Sequence, residues 1–94
     1  MENEADIIMY SWKNSDNQKW YFGPNNQIIS KSSNKAIDIY GADPRGSKVI
    51  QYNINNQWNQ VWNYTTDNEI LNPHTGKVLD ILDASEKSGA KVIV

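Results

Sequence analysis

The sequence predicts an all-β domain built from four-stranded repeats of about 42 residues, with two repeat lengths in the chain. Three observations predict it. The apolar segments are short, turn-forming residues bound each of them, and the same motifs return at one offset. Ile7–Tyr10, Gln27–Ser30, Ala36–Ile39, Val49–Tyr52 and Lys77–Ile81 each carry Ile, Val, Leu or Tyr. Branched and aromatic side chains of this kind pack well on a pleated surface. No stretch keeps apolar residues at i, i+3, i+4, i+7 for the three turns a stable helix needs. The region 83–89 has room for a single helical turn. Gly23-Pro24-Asn25-Asn26 and Asn72-Pro73-His74-Thr75-Gly76 are turns, because Pro presets φ and Asn or Gly accepts positive φ.

In chain order, Ile7-Ile8-Met9-Tyr10 matches Val49-Ile50-Gln51-Tyr52, and Asn17-Gln18-Lys19-Trp20 returns as Asn59-Gln60-Val61-Trp62. At the same offset Phe22 meets Tyr64, Asn26 meets Asn68, and Ile28-Ile29 meets Ile70-Leu71. Lys35-Ala36-Ile37-Asp38-Ile39 then meets Lys77-Val78-Leu79-Asp80-Ile81. One extra residue shifts the register before Gly46-Ser47-Lys48-Val49-Ile50 meets Gly89-Ala90-Lys91-Val92-Ile93. The chain divides into a half repeat (5–22), a full repeat (20–62) and a partial repeat (62–94) of a single module spanning 1–94.

Composition narrows the function. Ninety-four residues and 10.8 kDa fit one small domain. No cysteine is present, so disulfides, thiolate metal sites and thiol nucleophiles are excluded. The net charge of −2 comes with mixed signs and no basic patch, which argues against nucleic acid as a partner. No apolar run is long enough to insert in a membrane. The stretch Met1–Asp6 is acidic where a secretory leader is basic. Localisation is left open by the sequence, with the cytoplasm and release by a non-classical route both compatible with it. His74 stands alone in its turn as a solvated residue and makes no metal site by itself; no metal or cofactor is expected.

A 42-residue β repeat suits a propeller blade or a β-trefoil, and the Gly-His and Trp-Asp signatures of the blade are missing. The paired Asn-Gln-x-Trp, Lys-x-x-Asp-Ile and Gly-x-Lys-Val-Ile motifs make the chain resemble the ricin B-type, or QxW, lectin family over nearly its whole length. The resemblance implies a β-trefoil with Trp20 and Trp62 in the core around a pseudo-threefold axis. It also implies carbohydrate binding, most often of galactose. On this likeness Asp38 binds sugar hydroxyls, Tyr52 stacks on the ring, Asn59 bonds a second hydroxyl, and Gln60 holds the aspartate. A second site starts with Asp80, and its matching partners are Tyr10, Asn17 and Gln18, joined across chains or by closure of one chain on itself.

The residue chemistry agrees with that expectation. An ionised Asp accepts from two adjacent hydroxyls, Asn both donates and accepts, and an aromatic face covers the apolar C–H patch of a pyranose. The chain departs from the family in having Ile8, Ile50 and Ile93 where many members carry Gln, and Tyr where Trp is frequent. No catalytic constellation is recognisable, and Asp38 and Asp80 occupy equivalent positions in separate repeats, so the chain is expected not to be an enzyme. The other reading is a trefoil that binds protein without binding sugar. A trefoil closes with three repeats, so the two in this chain lead to an expected homo-oligomer, a trimer by repeat arithmetic, in which other copies complete each trefoil. The rival is that the sequence is part of a longer one.

Overall fold

The computed structural model describes residues 3–94, so Met1 and Glu2 of the acidic N-terminal stretch lie outside the described residues. Four strands, β1 (Trp20–Phe22), β2 (Ile28–Ser30), β3 (Ala36–Ile39) and β4 (Val49–Tyr52), form one antiparallel sheet in chain order. Two hairpins follow, β5 (Asn63–Tyr64) with β6 (Ile70–Leu71) and β7 (Asp80–Ile81) with β8 (Val92–Ile93). Single 3₁₀ turns stand at Asp16–Gln18, Tyr40–Ala42, Trp58–Gln60 and Leu82–Ala84.

The repeat is written in the backbone. Positive φ recurs in pairs 42 positions apart: Asn14 and Asn56 at 55° and 58°, Asn26 and Asn68 at 61° and 64°, Asn34 and Gly76 at 59° and 75°. Five of the thirteen asparagines serve these turns. Asn tolerates the left-handed region because its short polar side chain bonds locally, which accounts for the richness in this residue.

Three repeat-equivalent segments close on one another. Asp6 bridges Ile50, Lys48 bridges Ile93, and Ile8 bridges Lys91, so the segments around residues 7, 49 and 92 form a ring of three antiparallel contacts. The stretch Ile7–Tyr10, expected as a strand, is tied only by such single bridges, because its neighbours meet it at isolated points rather than along a ladder. The architecture is a partial β-trefoil.

The core sits inside the full repeat. Trp62 is 0% exposed and packs with Ile28, Ile37, Ile39 and Val49, while its indole Nε1–H donates to Ile37 C=O at 3.0 Å. Trp20, expected to share this burial, is 37% exposed. The reason is positional. Of the four buried aliphatic residues that pack with Trp62, only Val49 has a counterpart at the repeat offset near Trp20, namely Ile7.

Candidate functional site: a buried carboxylate beside an aromatic pocket

Alternation along β3 places Ile37 and Ile39 in the core cluster and turns Asp38 to the opposite face. Asp38 is nonetheless only 3% exposed. A buried carboxylate persists when hydrogen bonds replace its lost hydration. Here Gln60 Nε2 donates to Asp38 Oδ2 at 2.8 Å, and Asn59 Nδ2 donates to Asp38 Oδ1 at 3.0 Å. Burial raises the carboxyl pKa above the ordinary 3.8, and the bonds from Gln60 and then Asn59 offset part of that rise. Each carboxylate oxygen therefore carries one amide bond and keeps capacity to accept from another donor.

The two amides are themselves held. Gln60 is fully buried; its Nε2 also donates to Asn53 C=O at 2.8 Å, and its Oε1 accepts from Asn55 N–H at 3.0 Å. Asn59 Nδ2 also donates to Ile39 C=O at 3.1 Å. That uses both amide hydrogens of Asn59, while its Oδ1 is buried without a hydrogen-bond partner. Below the turn, buried Asn72 donates from Nδ2 to the carbonyls of Trp58 and Val61, fixing the 58–61 segment that carries both residues.

A cavity of about 330 Å³ opens against this group, walled by Asp38, Asn59, Tyr52, Tyr40, Trp58 and Glu4 among others. The structure thus gathers Asp38, Tyr52 and Asn59 at one wall, with Gln60 directly behind the carboxylate. Several lining residues lie outside the expected site set, Tyr40, Trp58 and Glu4 among them. Tyr40 directly follows the Lys-x-x-Asp-Ile motif, and that adjacency was the available signal. Trp58 has no aromatic counterpart in the other repeat, and Glu4 arrives from far along the chain through its N–H bond to Gln51 C=O at 2.8 Å. His74, expected to be solvated and alone, is exposed but stacks on Trp58 with ring centroids 4.2 Å apart.

The second expected site is not assembled within the chain. Asp80 pairs with Ile93 as Asp38 pairs with Ile50, but it is exposed, and among the described residues its Oδ1 accepts the N–H of Ile81 alone, at 2.8 Å. Tyr10, Asn17 and Gln18 line a different, wider cavity of about 630 Å³ that does not include Asp80. The strand position beside Asp80 is already filled by β8, which keeps Tyr10 away from it. Among the described residues no three His, Cys, Asp or Glu side chains gather as a metal site.

A family model described as the ricin-type beta-trefoil lectin domain matches residues 1–94. Among solved structures, the chain is similar to a designed three-fold symmetric protein, ThreeFoil, at 32% identity and a TM-score of 0.86, covering 98% of this chain and 72% of that one. It shares its fold with the C-half of an earthworm R-type lectin, whose structure holds GalNAc, at 24% identity and a TM-score of 0.78, covering 97% of this chain and 69% of that one. No curated protein matches.

Proposed function

The chain belongs to the ricin-type β-trefoil lectin domain family, and from that premise we propose that it binds a galactose-type sugar in the Asp38 pocket. Carbohydrate binding in general is what the family supports, and the family is generally not enzymatic. The observation that carries the finer reading is the carboxylate of Asp38, braced from behind by two amides and walled by aromatic rings. Adjacent sugar hydroxyls donate to its two oxygens, charge-assisted bonds that are stronger than neutral ones. Tyr52 takes the apolar face of the ring, with Tyr40 and Trp58 beside it. The GalNAc held by the earthworm lectin supports a ligand of the galactose type.

The ligand experiment is direct. Calorimetric titration with galactose, GalNAc and glucose is expected to give saturable heats for the first two, and Asp38→Ala to abolish them while circular dichroism stays that of the folded chain. Unaltered binding by that variant removes the assignment.

Avidity follows from copies acting together. Shallow single-ring sites bind weakly, and we propose that self-association, with a trimer as the expected size, makes the chain multivalent. Edge strand β1 supports this, since Trp20, Tyr21 and Phe22 are all exposed on it. Light scattering at micromolar concentration tests it; a folded 10.8 kDa monomer would end it.

A further inference from the structure

The wall of the Asp38 cavity is partly repeated and partly its own. Asp38, Tyr52 and Asn59 have counterparts 42 positions away in Asp80, Tyr10 and Asn17. Glu4, Tyr40 and Trp58 have none, since the same offset sets Gly46, Leu82 and Asp16 against them. Residues that recur follow the repeat, and those that do not recur distinguish this one cavity. They add a carboxylate and two aromatic rings.

Strand pairing brings Glu4 there. Its N–H donates to Gln51 C=O at 2.8 Å, Gln51 N–H donates to Ala5 C=O at 2.9 Å, and Asp6 bridges Ile50. The segment 4–6 thus runs antiparallel along β4 and sets Glu4 in the wall of the cavity that Asp38 lines.

Neither carboxylate has a cationic partner. Among the described residues no ion pair includes Asp38 or Glu4, and no Lys, Arg or His lines the cavity. Buried carboxylates are ordinarily paired with a counter-charge, whereas Asp38 has two neutral amides. Both hydrogens of Gln60 Nε2 and both of Asn59 Nδ2 are spent. The capacity left around Asp38 lies on its own oxygens and on the buried Asn59 Oδ1, and all of these accept.

That combination suits one kind of cation. No third metal-ligating side chain joins the two carboxylates among the described residues, which leaves a metal ion short of ligands. An organic ammonium brings three donors and a charge that aromatic faces attract. Tyr40 already shows the attraction, with Lys48 Nζ 4.6 Å from its ring centroid, although Lys48 does not line the cavity. Trp58 is braced for the same use, by the His74 ring and by Asn72 Nδ2 donating to its carbonyl at 3.0 Å.

On the premise that the Asp38 cavity is a sugar site, as proposed above, we infer that it selects a galactosamine-type amino sugar with a free ammonium group over neutral sugars. The ammonium lies between Glu4 and the Tyr52 and Trp58 rings, while ring hydroxyls donate to Asp38.

Calorimetric titration of the whole protein with galactosamine, GalNAc and galactose tests this at about pH 6.5, below the α-amino range, where the free amine is charged. Galactosamine is expected to bind about tenfold more tightly than either neutral sugar. GalNAc is the matched control, because acetylation removes the charge and keeps the ring. The advantage is expected to shrink at about 1 M salt, where the screening length is about 3 Å. Glu4→Gln is expected to cut the ratio of galactosamine to galactose affinity about threefold. Choline, an ammonium without a sugar ring, is expected to bind about tenfold or more weakly than galactosamine. Equal affinity for galactosamine and galactose, a ratio unchanged by Glu4→Gln, or choline binding as tight as galactosamine overturns the inference. Galactose binding without an amino-sugar advantage leaves the sugar site standing, whereas no heat with any sugar removes both.

Discussion

Asp38 and Asp80 sit in the same five-residue motif, at the same register against an Ile of the next strand, yet one is buried and bonded by two amides while the other lies in water. Trp62 and Trp20 show the same contrast, 0% against 37% exposed. In both pairs the residue and its surrounding motif are alike, and what differs is which segments pack over it. Burial in a repeat fold belongs to the interface between units, not to the unit.

The largest expected difference is at the tryptophans. Trp62→Ala should cost about 3 to 5 kcal/mol, because it empties the core against four aliphatic side chains. Trp20→Ala should cost about 1 kcal/mol or less, as for an exposed position. Urea unfolding of both variants measures it, and equal losses would break the comparison. Next comes sugar binding. Retention on a galactose resin should fall about tenfold or more for Asp38→Ala, and should hold for Asp80→Ala measured at concentrations where the chain is monomeric.

The pH response sharpens the same contrast and has two opposite signs. The folded chain holds the Asp38 proton more tightly than the unfolded chain does. Its contribution to stability is therefore present at low pH and is lost as pH rises from 3.8 through the raised folded value. Binding runs the other way, because a protonated carboxyl loses acceptor capacity, so retention should fall on acidification with a midpoint above 3.8. Asp38→Ala should remove the stability slope, read as Tm against pH.

The smallest effects lie in the turns. Asn34 and Gly76 hold equivalent positive φ, 59° and 75°. Ala at either position should cost about 1 kcal/mol, whereas Asn34→Gly should change stability by only a few tenths of that. Thermal melts distinguish the three variants.

Much of this was legible in the sequence, for a physical reason. Short strands and turns are set by local conformational preference, so the returning Asn-Gln-x-Trp, Lys-x-x-Asp-Ile and Gly-x-Lys-Val-Ile motifs announced the repeat, and the repeat announced the fold. Asp38, Tyr52, Asn59 and Gln60 were singled out by the family resemblance, and they come together because one complete repeat contains all four. Burial was less legible. Trp20 carries the same motif as Trp62, but the residues that cover Trp62 are drawn from β2, β3 and β4, and the Asn-Gln-x-Trp motif does not record which segments pack over its Trp. Glu4 and Trp58 reach the pocket through a single backbone bond and an unrepeated loop residue, which no internal comparison of the sequence exposes. His74 found its aromatic partner for the same reason, in a contact between two loops.

The ring of three bridges also bears on how the chain folds. Its last link joins Ile8 to Lys91, and nearby Ser11 and Ser88, 77 residues apart, share a hydrogen bond. Contacts between positions so distant require a large loop to close before they contribute anything, which lowers the folding rate. The four-stranded sheet, made of neighbouring strands, is therefore expected to form early. The segments 5–10 and 89–94 then meet in the slowest step, and they gain their protection from hydrogen exchange together.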